Sequence, residues 1–291
     1  NVRLVNGTAL YTQNFTPSPG PLAAVTNTKL LCCQSNTSPV TAAVAPDAGT
    51  ATAKLNAPLS STPFADSSSS SKAITNTGSI AAASAGTNNF DITNAASFDG
   101  SSQRLNTPQT GMTFTGSFTL DTYVKLDASA ANYNIIINTG YQSGSDKYVY
   151  IGLDDDEKPY IEDVGTTGAR TTATSAISKD TWYHVRVTQG DGNMKLYANG
   201  ILYVTHTTNT FDMVTGRDFT IGAPFDNSNN TNNFDGLIGP VRYVSSYLGP
   251  PASGGESTSS GALSNTPDPV SYTHLRAHET EADLVCRLLL E

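Results

Sequence analysis

The stretch from Thr181 to Thr207, TWYHVRVTQGDGNMKLYANGILYVTHT, leaves a chain little choice but to fold as consecutive antiparallel strands. Tyr183, Val185 and Val187 alternate with Trp182, His184 and Arg186, the period-two signature of a strand buried on one face. Gly190-Asp191-Gly192-Asn193 then supplies residues that tolerate positive φ, and Met194, Leu196 and Ala198 alternate with Lys195 and Tyr197. Asn199-Gly200 is the strongest short hairpin signal. Leu202 and Val204 complete a three-stranded meander.

The same alternation recurs along the chain. In Ser117 to Leu126, Phe118, Leu120, Thr122, Val124 and Leu126 face one way and Thr119, Asp121, Tyr123 and Lys125 the other. Tyr133, Ile135 and Ile137 form another set, as do Val149, Ile151 and Leu153 against Tyr148 and Tyr150. Lys158 to Val164, Thr171 to Ile177, Phe219 with Ile221, and Leu237, Val241 and Tyr243 add further strands. Short strands at intervals of roughly 8 to 12 residues, with no helical periodicity, predict an all-β sandwich. A content of 37% hydrophobic and only 14% charged residues fits an extracellular or virion-type β protein. The formal charge of -9 opposes nucleic-acid or anionic-membrane partners, which require basic patches. No apolar run reaches the length of a membrane-spanning helix. Cys32 and Cys33 are adjacent in an expected strand and Cys286 is remote, so neither a disulfide nor a cysteine metal cluster is expected.

W-x-H-V-x-V, a polar turn and L-Y-x-N-G together resemble the signature of laminin-G-like domains, members of the concanavalin A-like lectin/glucanase superfamily of jelly rolls. ASFDGSS (Ala96 to Ser102) resembles the family's opening strand, Phe118 to Leu126 its next long strand, and FDGLIGPVRYV (Phe234 to Val244) its closing strand. The resemblance spans about Lys29 to Leu248 and implies a concanavalin A-like jelly-roll sandwich in which the Leu30 strand lies beside the Val241 strand.

Asn1 to Thr12 resembles Pro240 to Leu248, with V-R-x-V aligned, and reads as the last strand of a preceding repeat. Residues 1–25, with Pro17, Pro19 and Pro21 as a stiff spacer, are therefore expected to be the terminal strand and linker of that repeat. This run and TNTKLLCCQ resemble segments of tail and adhesion proteins of marine bacteriophages. Residues 26–249 are expected to form the jelly roll, with residues 35–63 a loose Ala/Thr/Ser/Pro-rich insertion. Residues 250–267 read as a flexible linker. Residues 268–291 break the composition and resemble the in-frame translation of a sequencing adapter. That tail carries two basic and four acidic residues, so without it the balance is still acidic at -7.

Glycoside hydrolases share this architecture, and their chemistry needs two carboxylates roughly 5 Å apart for retention of configuration. The acidic cluster Asp154-Asp155-Asp156-Glu157 precedes Lys158-Pro159 and reads as a hairpin turn, so no enzyme is expected. Laminin-G-like resemblance implies a possible calcium ion at the rim, held by hard oxygen ligands, and Asp154, Asp155, Asp156 and Asp226, the last with Asn227 and Asn229, are the candidates. Asp99 and Asp235, each in an F-D-G triplet, read as turn residues. With Val185, Val187, Leu196, Val204, Val149 and Ile151 inward, Trp182, His184, Arg186, Lys195, Tyr197, Tyr203, Tyr148, Tyr150, Tyr123 and Asp121 would share the outward side. That aromatic face, or the loop around Asn229, is where a glycan or host-surface receptor would bind. The expected function is non-catalytic recognition within a virion fibre or surface adhesin, with neighbouring repeats of the same chain as further partners; the alternatives are a ligand-free spacer and a glycosidase.

Overall fold

The structure, a computed structural model of the 291-residue chain, describes residues 2–5, 28–32, 51–114, 116–140, 148–164, 169–190, 192–207, 216–224, 232–258, 261–265 and 267. In chain order the strands are β1 (Val2–Val5), β2 (Thr28–Cys32), β3 (Ala53–Ala57), β4 (Thr75–Thr77), β5 (Ala81–Ser84) and β6 (Asn94–Asp99). There follow β7 (Arg104–Pro108), β8 (Phe118–Leu126), β9 (Asn134–Asn138), β10 (Tyr148–Leu153), β11 (Pro159–Val164) and β12 (Arg170–Thr172). The chain then forms β13 (Trp182–Gln189), β14 (Met194–Ala198), β15 (Ile201–His206), β16 (Asp218–Ile221) and β17 (Asp235–Val244). No helix occurs among the described residues.

The chain divides into two compact units. In the first, β1 and β2 form a two-stranded antiparallel ladder. The second, residues 51–267, is a sandwich of two antiparallel sheets. One sheet has the order β12-β11-β10-β9-β16-β7-β4; the other runs β15-β14-β13-β8-β17-β6-β5, with β3 added to β17. Alternation explains the core. Val185 and Val187 of β13, Leu196 of β14, Leu120 and Val124 of β8 and Val241 of β17 meet Val149 and Ile151 of β10, Ile161 of β11 and Phe219 and Ile221 of β16 in one buried cluster. The sandwich is what the period-two patterning predicts.

Three placements differ from the sequence reading. The strand beside Val241 is β3, with Val241 opposite Ala57 and Tyr243 opposite Leu55, whereas β2 pairs with β1. Residues 53–57, expected in a loose insertion, are therefore a sheet strand, and Ala53, Leu55 and Ala57 are fully buried. Asp66 holds that strand in place: its carboxylate accepts from the backbone amides of Asn56, Ser68 and Lys72. Second, a register shift between Leu196 and Tyr197 turns Leu202 outward, 48% exposed, and packs Tyr203 against the core. Third, residues 250–267 do not behave as a linker.

After β17 the chain crosses the outer face of the eight-stranded sheet as a strap. Gly254 donates its amide to the Asn199 carbonyl, Thr258 to that of Phe90, and the Asn265 carbonyl accepts from the Ala53 amide. Leu263 enters a second apolar cluster with Ala85, Phe90, Ile92, Ala95, Tyr123 and Trp182, and the Trp182 indole donates to the Ala85 carbonyl at 2.8 Å. Close approach requires glycine at two points. A Cβ on Gly200 would lie 2.3 Å from the Ala252 carbonyl oxygen, and one on Gly255 would lie 2.7 Å from the His184 Cβ, with φ at +88°. Replacing Gly255 with alanine is expected to cost about 1–3 kcal/mol of stability, since the left-handed backbone and the clash act together. Chemical denaturation would register it as a lowered midpoint with an unchanged slope.

Candidate functional site

The eight-stranded sheet places charge where a solvated face was expected. Arg186 of β13 stands opposite Asp121 of β8, and Asp121 stands opposite Arg242 of β17, so three adjacent strands present one row. Asp121 is fully buried, and Arg186 and Arg242 are 1% and 2% exposed. Asp121 Oδ1 accepts from Arg186 Nε at 2.6 Å and Oδ2 from Arg242 Nη2 at 2.6 Å. His184 Nε2 also donates to Oδ1, at 3.1 Å, because its Nδ1 accepts the Glu256 amide. The strap closes the array: Arg186 Nη2 donates to Glu256 Oε1 at 2.5 Å, and Tyr123 Oη donates to the Glu256 carbonyl at 2.8 Å. Two carboxylates thus balance two guanidiniums around a neutral imidazole.

Electrostatics follow from that arrangement. Burial alone would raise the Asp121 pKa, but Arg186, Arg242 and the His184 hydrogen bond outweigh it and hold the carboxyl well below its usual range. Burial raises the Tyr123 hydroxyl, with Asp121 and Glu256 adding to the effect. Asp121, His184 and Glu256 offer ligand atoms within 4.8 Å of one another. They do not fit a cation, since both carboxylates are already held by guanidiniums.

The expected aromatic face is accordingly divided. Trp182, His184, Arg186 and Tyr197 do lie on the outer side of the eight-stranded sheet, but beneath covering chain, each buried. Tyr203 points to the core side. Tyr148 and Tyr150 belong to β10 in the other sheet and share no face with Trp182. Asn229 and Asp226 lie outside the described residues.

On the seven-stranded sheet a second row faces away from the core. Register aligns Thr75, Asn106, Thr220, Asn138, Tyr150, Glu162 and Arg170 across all seven strands. Their neighbours Leu105, Phe219, Ile221, Ile137 and Ile161 point into the core, which sets the row on the opposite side. Thr220 is fully buried and Asn106 is 8% exposed, yet Thr220 Oγ1 and Asn106 Oδ1 have no hydrogen-bond partner. At one end Arg170 lies 4.6 Å from the ring centroids of both Tyr133 and Tyr160 and pairs with Glu162 at 2.6 Å. Tyr148 and Tyr150 pack edge to face at 4.8 Å. The arrangement offers ring edges and faces, amides and hydroxyls together with one ion pair.

Two of the expected calcium ligands, Asp154 and Asp156, are engaged within their own turn. Asp154 Oδ1 accepts the amides of Asp156 and Lys158, closing the β10–β11 turn, and the Lys158 ammonium sits 2.7 Å from Asp156 Oδ2. One carboxylate is spent on backbone and another is already neutralised, leaving Asp155 exposed on its own. Asp99 likewise caps a turn, accepting the Ser101 amide and hydroxyl. Asp235 lies beside Asp99 and Asp127, and burial followed by those two charges raises its pKa.

Residues 99–251, more than half of the chain, match the family of concanavalin A-like lectins and glucanases to which laminin-G-like domains are assigned. The chain belongs to the concanavalin A-like lectin/glucanase superfamily. Among solved structures this concanavalin A-like chain is similar to domain 4 of the extracellular arabinanase AbnA from Geobacillus stearothermophilus, solved with arabinotriose. Identity is 18% and the TM-score 0.50, over 75% of this chain and 96% of that one. It is also similar to the botulinum neurotoxin serotype D binding domain, at 16% identity and a TM-score of 0.51, over 68% of this chain and 49% of that one. Both likenesses concern the fold. A search of curated proteins finds no match to the sequence.

Sequence patterning missed Arg242, Glu256 and the polar row. Two signals for the first pair were present. Arg242 interrupts an apolar closing strand, and Glu256 is the one charged residue between Gly249 and Pro267. The row carries no such mark, because Asn106, Asn138 and Thr220 lie on three strands far apart in sequence and align only once the sheet is assembled.

Proposed function

We propose that the domain is a non-catalytic recognition module for carbohydrate, either free or carried by a cell-surface receptor, bound along the outer face of the seven-stranded sheet. The observation that carries this is the open end of the row, where part-exposed Tyr150 and Glu162 and exposed Arg170 stand together and Arg170 stacks on the part-exposed Tyr133 ring. A hydroxyl-rich ligand with apolar ring faces can stack on the tyrosines and hydrogen-bond to the charged pair beside them. That one similar structure was solved with arabinotriose and another is the binding domain of a toxin is in keeping with that reading. So is the acidic, low-charge composition, which suits a virion fibre or surface adhesin. Catalysis is not part of the proposal, as Glu162 is tied to Arg170 and Asp154 to its own turn.

A glycan array probed with residues 51–267 in intact chain should give a defined set of ligands, with and without calcium alike. Tyr133→Ala and Tyr150→Ala, both at the open end of the row, should each weaken the best hit by at least about tenfold. Binding that survives both substitutions would move the site elsewhere. A blank array favours the ligand-free spacer, the reading that the strap over the other sheet supports.

A further inference from the structure

The two-stranded ladder of the first unit repeats, position for position, one edge of the sandwich. Val2 pairs with Cys32, Arg3 with Leu31, Leu4 with Leu30 and Val5 with Thr28. In the sandwich Val241 pairs with Ala57, Arg242 with Asn56, Tyr243 with Leu55 and Val244 with Ala53. Both ladders shift register at the same step, before the last valine, and the residue skipped is a lysine each time, Lys29 and Lys54. The sequences agree as well: V-R-L-V against V-R-Y-V, and T-K-L-L-C against A-K-L-N-A. Coincidence of residue type, register and bulge position argues that β1 plays the part of β17 and β2 the part of β3.

The two ladders differ in chain order. β3 precedes β17, whereas β2 follows β1. Every strand that pairs with β17 precedes it in sequence, so the sheet that β1 would close also belongs before it. An isolated two-stranded ladder is marginal and its open edge invites a further strand. On its other side β17 pairs with β8, with Arg242 opposite Asp121. The edge of β1 therefore suits a β8-like strand with an aspartate opposite Arg3.

We infer that neighbouring jelly rolls of this type are joined by an exchanged strand: Thr28–Cys32 fills, in a module closed by Val2–Val5, the place that Ala53–Ala57 fills in its own. The partner is a preceding module of the same kind in the same polypeptide. Such a strand would couple the folding of one module to the chain segment that opens the next.

The test is a chain in which residues 58–240 are fused directly to Val2 of the full chain. The added body lacks a β3 of its own, and Val2–Val5 follows Pro240 as Val241–Val244 normally does. Calorimetry and limited proteolysis should show a second cooperative body, less stable than residues 51–267 because it lacks the strap's Leu263 and Glu256. Leu30→Asp, which sets a carboxylate at the position Leu55 holds, should abolish that body and leave the transition of residues 51–267 unchanged. An added body that is no more stable with β2 intact than with Leu30→Asp overturns the proposal. Neither outcome depends on glycan binding.

Discussion

Asp121→Asn is expected to destabilise the sandwich by about 3–5 kcal/mol, the loss seen when one partner of a buried charge network is removed. The substitution keeps the side chain's shape but leaves Arg186 and Arg242, both almost fully buried, with the partly exposed Glu256 as their remaining anion. For a domain of this size the drop corresponds to a melting temperature lower by roughly 10 °C or more. A shift of only a degree or two would mean that the guanidiniums find water on release and that the network is not closed. The pH dependence carries the same signature. A carboxyl whose folded pKa is depressed contributes stability that is present above its unfolded value, about 3.9, and is lost as pH falls through the folded value. The wild-type network should therefore persist at pH 4, where exposed carboxylates are already titrating. Asp121→Asn should remove that dependence, so its deficit relative to wild type should shrink as the pH falls below about 3.9.

Ending the chain at Leu248 is expected to have a comparable or larger effect. Without residues 249–265 the sheet loses Leu263 and exposes Phe90, Ile92, Tyr123 and Trp182, and full burial of such side chains is worth about 1.5–3 kcal/mol each. Arg186 and Arg242 would lose Glu256 in the same step, and Asn56 Nδ2 would lose the Leu263 carbonyl and Asn265. The shortened protein should bind a hydrophobic dye, lose near-ultraviolet dichroism from Trp182 and melt far below the full chain. If it kept the wild-type melting temperature, the strap would be an ornament. Extending the same fragment to Asn265 should restore stability, which separates the strap from residues 268–291.

The contrast between these elements shows where patterning succeeds. β8, β13, β14 and β17 were legible because each exposes one face to a continuous apolar core, which writes period two into the sequence. β3 was not. Its inward residues are Ala53, Leu55 and Ala57, mostly small, and its outward Asn56 donates its side-chain amide to the strap rather than to water. The strap itself looks like a linker because the sheet's side chains and carbonyls hold it, and among its own side chains only Leu263 is a large apolar one and only Glu256 is charged. The candidate site divides for a related reason. Parity along a strand says that Tyr148 and Tyr150 face away from the core, but not from which sheet. Trp182, His184 and Arg186 were placed on the correct side, and only the covering chain decides that this side is closed. The pairing of Asp121 with two arginines required knowing that β17 lies next to β8, a neighbourhood set by pairings distant in sequence.

The strap also brings the ends of the domain together. The Asn265 carbonyl accepts the Ala53 amide, and Asn265 Nδ2 donates to the Ser67 carbonyl, so the chain enters and leaves at one edge. Under tension such a domain hangs beside the line of pull instead of lying along it. Force applied through the two ends would first peel Asn265 from Ala53, one bond at a time, and then lift the strap from Arg186 and Tyr123. The long ladders between β8, β13 and β17 would carry load only after that. Extension would begin with a short, compliant tether and uncover the charged row before the sandwich itself gave way.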